Sequence, residues 1–178
     1  MRGFALDLRS LALFRIGLGV VALFDLFDRS TALVFHYTDS GYLPRERLDS
    51  SFGLWSLHSL FGGAEWVVFL FAVAFLAGVA FVAGYRTRWA GAVLCFLTLS
   101  LQHRNPEILN GSDTVLRVLL FWSLFLPLGE RWAVDARGRR GPGSVSSFAA
   151  TALVAQVLCI YWSAVFHKLD DPLWLAGE

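Results

Sequence analysis

The chain reads as an all-α integral membrane protein, a multi-pass bundle of about five transmembrane helices, and three observations predict that class. Of 178 residues, 56% are hydrophobic and 16% charged, with a mean hydropathy of +0.57, which is too apolar for a soluble domain of this length. Trp66 to Gly84 is a run of 19 residues without a charge, long enough at about 1.5 Å per residue to cross a hydrocarbon core of roughly 30 Å. No ten-residue alternation points to a barrel, so helices are the spanning structure that satisfies its own backbone in lipid.

Hydropathy places spans at about 10 to 27, 66 to 84, 88 to 102, 113 to 129 and 145 to 167, the third and fourth short enough to be tilted, shallow or broken. Leu11 to Phe24 imitates the apolar part of a leader behind Arg2 and Arg9. Arg15 interrupts it and Asp25 and Asp28 close it, so a retained first helix is expected. In the second span, Ala74 with Gly78 and Ala80 with Gly84 form small-xxx-small pairs that let backbones approach. The segment Gly53 to Phe61 is expected as a short interfacial helix over one mouth of the bundle. Cys95 and Cys159 lie within spans, without metal or redox spacing, and read as packing residues. A net charge of +1, with no basic run among exposed aromatics, excludes nucleic acid as a partner.

Basic residues set the expected orientation. With the N-terminus cytoplasmic, Arg2, Arg9, Arg86, Arg88, Arg131, Arg137, Arg139 and Arg140 fall inside, against Arg29, Arg45, Arg47, Arg104 and Lys168 outside, so the bias favours N-in. His36, His58, His103, His167, the turn at 110 to 113 and Lys168 are then expected on the outer side.

Charges within spans need partners. Arg15 and Asp25 are about 80° and 15 Å apart on one helix, too far to pair, so each is expected to find a partner on another helix. Asp113 and Arg117 stand at i,i+4 and can pair with each other, with Asp113, Ser112 or Asn110 capping the fourth span. In the last span Gln156, Ser163 and His167 share one stripe, and Tyr161 and Lys168 another roughly 120° away. Two stripes imply contact with the bundle interior. His103 and Glu107 flank Pro106 and lack a third ligand at metal spacing, so no metal is expected.

Lys168 is the only lysine. Arginine stays protonated in proteins, whereas a lysine at an apolar boundary can become a base. Desolvation would favour the neutral amine, and Asp170 or Asp171 would keep it charged; snorkelling to the headgroups is the plain structural alternative.

Taken together, Arg15-Ile-Gly-Leu-Gly with Asp25, Tyr37-Thr-Asp-Ser-Gly-Tyr-Leu-Pro44, Arg104-Asn-Pro-Glu-Ile-Leu-Asn-Gly-Ser-Asp113 with Arg117, Pro127-Leu-Gly129 with Trp132 and Asp135, and Tyr161 through Lys168-Leu-Asp to Trp174 resemble the HTTM family, the horizontally transferred transmembrane domain of the vitamin K-dependent gamma-carboxylases. The set runs through nearly the whole chain in family order and corresponds to the N-terminal part of a single HTTM-like domain, the C-terminal helices being expected to be missing. The resemblance implies a reduced quinone of menaquinone or vitamin K type as cosubstrate, with Lys168 as the base that deprotonates it. Oxygen then adds, and the strong base so formed takes a proton from a substrate as the quinone becomes an epoxide. It implies His167 and His103 as proton relays and Asn105, Asp113, Arg117, Tyr161 and Trp174 as pocket residues, with Arg15 and Asp25 as structural charges. It also implies a bacterial inner membrane. Two departures stand out. Pro106 lies at or next to the carboxylases' loop histidine, and these 178 residues hold no extramembrane domain for a peptide. The alternative is a non-catalytic membrane scaffold, or a partner in peptide maturation or export.

Overall fold

The structure is a computed structural model that describes residues 5–48, 55–137, 143–170 and 174. A short antiparallel ribbon, β1 (Ala5–Asp7) paired with β2 (Ser144–Ser146), ties the start of α1 (Leu8–Ser30) to the start of α6 (Phe148–Leu169). Such long-range pairing has no local signal and was not expected. Asp7 caps α1, its carboxylate accepting from the Arg9 amide at 2.6 Å, and Ser147 caps α6 in the same way at Ala150. Between them come α2 (Leu33–Tyr37), α3 (Ala64–Ala83), α4 (Thr87–Arg104) and α5 (Gly111–Ser123).

The core lies between α1, α3, α4 and α5. Leu18 and Ala22 of α1, Leu70, Ala74 and Phe81 of α3, Leu94 and Leu97 of α4 and Leu120 of α5 share one buried cluster. Gly78 permits the α1–α3 approach, because a Cβ there would lie 2.7 Å from Leu23 Cδ2. The Ala80–Gly84 pair has another purpose. Gly84 takes φ 72° and ends α3, with the Tyr85 amide donating back to the Ala80 carbonyl at 2.9 Å, a stop that favours glycine.

Among the described residues, three helical segments are long and apolar enough to cross a membrane: Leu8–Ser30, Ala64–Ala83 and Phe148–Phe166. The protein is thus a multi-pass helical membrane protein, and the count of about five spans is approximate. α4 carries Arg88, Gln102 and Arg104 along its 18 residues, and α5 ends at Ser123 instead of reaching 129. The 13 residues of α5 rise only about 20 Å. The Ser123 hydroxyl donates to the Leu120 carbonyl at 2.6 Å, and Pro127, which has no amide hydrogen, follows the turn.

The 53–61 segment forms no interfacial helix where it is described. A single 3-10 turn, Leu57–Ser59, buries His58 and leaves Trp55 and Phe61 exposed; Gly53 and Leu54 lie outside the described residues. In α6 the burial is confined to Ala149, Ala150 and Leu153. Ser163, Tyr161 and Lys168 are exposed and Gln156 is half-buried, which corrects the expectation that two polar stripes face the interior. The later turns of the helix pack little against the other described elements. The His167 side chain lies outside the described residues.

Candidate functional site

One end of the bundle gathers the polar groups. Arg29, on the last turn of α1, grips Asp25 one turn earlier, Nε lying 2.9 Å from both carboxylate oxygens. Its other nitrogens donate to the Tyr37 hydroxyl at 2.9 Å and to Asp113 Oδ1. Asp113 in turn accepts from the Asn110 amide at 2.8 Å, closing a capping box at the start of α5. Its carbonyl receives Gln102 Nε2 at 3.2 Å. One guanidinium therefore joins α1, α2 and α5, and Gln102 adds α4.

These contacts correct two expectations. Asp25 pairs within its own helix, because i,i+4 puts Arg29 in direct reach. Asp113 pairs with Arg29 instead of Arg117, and Asn110 is the helix cap. A planar fork of donors serves several buried acceptors at once, which favours Arg29 as the hub.

Beside this network, Arg45 binds Asp39 with Nε at 2.8 and 3.1 Å and Nη2 at 2.7 Å. The Arg45 guanidinium holds the Asp39 carboxyl below the usual carboxylate range. Arg104, fully buried, donates to the Leu43 carbonyl at 3.0 Å and reaches Asp39 at 3.6 Å. Asn105 donates to the His36 carbonyl at 3.0 Å and accepts from the Glu107 amide at 3.3 Å. The anticipated neighbours His103 and Glu107 part: His103 Nδ1 meets the Trp55 carbonyl at 3.1 Å and Glu107 accepts from Tyr42. Among the described residues no three His, Cys, Asp or Glu side chains converge.

His58 is 1% exposed, with Nδ1 2.8 Å from Ser100 Oγ. Burial first, and Arg104 second, hold its imidazole down at about 4. The unfolded chain binds the proton near 6.5, so the contribution of neutral His58 is fully present above that pH and is lost as pH falls towards 4. Wild-type protein in detergent micelles should lose about 3 kcal/mol of stability across that window. Asp39 weakens the fold only at still lower pH. His58→Asn should flatten the 6.5-to-4 limb of a thermal-unfolding series; an unchanged slope would place the titration elsewhere.

The opposite end is held by backbone carbonyls. Arg15 is fully buried, and its two terminal nitrogens donate to the carbonyls of Leu128 (2.8 Å), Arg131 (3.3 Å), Val82 (3.3 Å) and Trp132 (2.6 Å). Only Val82 lies on another helix, as expected; the other three acceptors belong to the loop after α5, and all four are main-chain oxygens. Asp135 accepts from the Arg86 and Thr87 amides, both at 3.0 Å, and so caps α4.

Lys168 stands at the end of α6, exposed, with Nζ 4.1 Å from the Trp174 ring centroid. Trp162 and Phe166 stack nearby, their centroids 5.7 Å apart. Of the sequence-derived site residues, Asn105 and Asp113 join the polar end described above, whereas Tyr161 and Lys168 belong to α6 and Trp174 lies against Lys168.

A multi-pass helical membrane bundle pinned at its two ends by buried arginines is the class these features define. The HTTM domain matches residues 5–178. The chain therefore belongs to the HTTM family and is related to the HTTM domain of the carboxylases. No curated protein and no solved structure matches it.

Proposed function

We propose that the chain is a carboxylase-like membrane module that acts on a reduced quinone, with Lys168 as the base. The observation that supports this reading best is the sole lysine standing at the end of an aromatic helix, its Nζ over the Trp174 ring. Proton abstraction by an amine calls for a site from which water is excluded, and the quinone ring would cover the exposed aromatic end of α6. Lys168 Nζ then takes the proton of a quinol hydroxyl, and Trp174 and Tyr161 wall the ring. Overall, one quinol and one oxygen molecule give one epoxide and one water. His167 and His103 carry protons away, while Asn105, Asp113 and Arg117 keep the end of the bundle in shape. On this reading the N-terminus faces the cytoplasm of a bacterium and Lys168 the outer side of its inner membrane.

The exposure of Lys168 and of Tyr161, at 70%, favours a second reading, a non-catalytic scaffold that offers α6 to a membrane-protein or exported-peptide partner. Nanodiscs loaded with reduced menaquinone or vitamin K, under oxygen, separate the two. Wild-type protein should form quinone epoxide, detected by mass spectrometry, and Lys168→Met should form at least 100-fold less, about what loss of a positioned base costs. Folded wild-type protein that makes no epoxide would leave the scaffold reading.

A further inference from the structure

Two hollows between α1 and α5 share lining residues and form one groove. The first, of about 500 Å³, runs between α1 and α5 past Phe14, Gly17, Val115 and Leu119 and is almost wholly apolar. The second, of about 350 Å³, is bordered by Asp25, Asp28 and Asp113. Val21, Ser112 and Leu116 line both. From Phe14 to Asp28 the helix rises about 21 Å, against a half-thickness of roughly 15 Å for bilayer hydrocarbon. An apolar trough therefore points towards the membrane centre and a carboxylate end sits at headgroup depth.

Among the described residues, three carboxylates and no cation line that end of the groove. Arg29 is the cation paired with both Asp25 and Asp113, and Asp28, exposed on the next exposed face of α1, makes no ion pair among the described residues. Gly17 adds a further sign: a Cβ built there meets nothing within 4 Å. Its missing side chain leaves space in the trough without serving a contact between helices.

We infer that this groove is a binding site for an amine-headed lipid, the acyl chain lying along Gly17 and Val115 and the primary ammonium at Asp28 and Asp25. The ammonium supplies three hydrogen-bond donors to carboxylates left in excess. The site is separate from Lys168 and does not depend on the quinone reading.

The test uses three lipids with identical oleoyl chains: phosphatidylethanolamine, phosphatidylcholine and phosphatidylglycerol. Ethanolamine and choline lipids share a phosphate but differ in donors, since the choline nitrogen has none. Native mass spectrometry of the full chain released from detergent should show ethanolamine lipid retained roughly tenfold over choline lipid, the worth of one charge-assisted hydrogen bond. Asp28→Asn should remove most of that preference while lipid still binds. Gly17→Phe should fill the trough and reduce retention of all three, with the helical circular dichroism of wild type as the folding control. Equal retention of the three lipids, an Asp28→Asn protein with the preference intact, or displacement of the lipid by reduced menaquinone would each overturn the assignment.

Discussion

Replacing Arg29 with methionine is expected to cost about 3–5 kcal/mol of stability, the usual penalty for stranding a buried charge. Two carboxylates depend on this guanidinium, and Asp113 is only 4% exposed. Methionine fills much of the volume and adapts to its surroundings, so the loss reports charge and hydrogen bonding instead of an empty space. Unfolding of the detergent-solubilised protein, followed by helical ellipticity, gives the number. The triple variant with Asp25→Asn and Asp113→Asn should recover a large part of it, because the stranded charges are then gone while the Asn110 amide keeps an acceptor at position 113. An Arg29→Met protein as stable as wild type would mean that the network is not formed in the membrane.

Arg15→Met is expected to do comparable damage by a different route. Four carbonyls lose a donor at once, the Leu128 oxygen from a buried bond and the other three from half-buried ones, and a buried acceptor left without a partner costs about 1–3 kcal/mol before relaxation. The loop beyond α5 is where the loss should be felt. Trp132 holds φ 47°, a left-handed conformation that costs of order 1–3 kcal/mol outside glycine, and its carbonyl is the shorter partner of Arg15 at 2.6 Å. Without that bond the loop should open, and trypsin should cut after Arg131 and Arg137 much faster than in wild type. Arg15→Lys should be nearly as sensitive, since one compact ammonium cannot reach the four oxygens that a planar fork spans. Unchanged cleavage in both variants would contradict the anchoring role.

The helices and their approximate limits were legible because apolar runs and end signals are local. The cluster of capping residues at 110–113 and the long charge-free second span write their roles within a few residues of sequence, whereas Gly84 reads as a packing residue until its φ of 72° shows it to be a helix stop. The pairings were not. Arg29 and Asp113 are 84 positions apart, and Arg15 and Trp132 are 117; no spacing rule connects them, and the carbonyl partners of Arg15 carry no residue identity at all. The i,i+4 rule misled for Asp113 and Arg117 because a buried guanidinium from another helix offered better geometry than a neighbour on the same one. His58 was noted only as one histidine of four, since its burial against Ser100 arises from the fold of the 55–60 loop on α4. Lys168 stood out by being alone, a property of composition, and its exposure followed from a helix whose later turns pack on none of the described elements.

The carbonyl cage around Arg15 and the grip of Arg29 on Asp113 have a consequence for biosynthesis. α1 is made first, yet the carbonyls that satisfy Arg15 come from the α3 end and the loop at 128–132, and Arg29, already paired with Asp25, gains Asp113 only from the start of α5. The nascent segment must enter the bilayer with Arg15 still without its acceptors, at an apparent insertion cost of about 2.5–3.5 kcal/mol for a charge near the middle of a helix, while Asp25 and Arg29 enter as a pair near its end. Only when a further hundred residues have left the ribosome can that debt of solvation be settled. Chains truncated before Ser123 should therefore hold their first helix loosely, at the membrane surface or with an insertase, and commit it to the bilayer as α5 arrives.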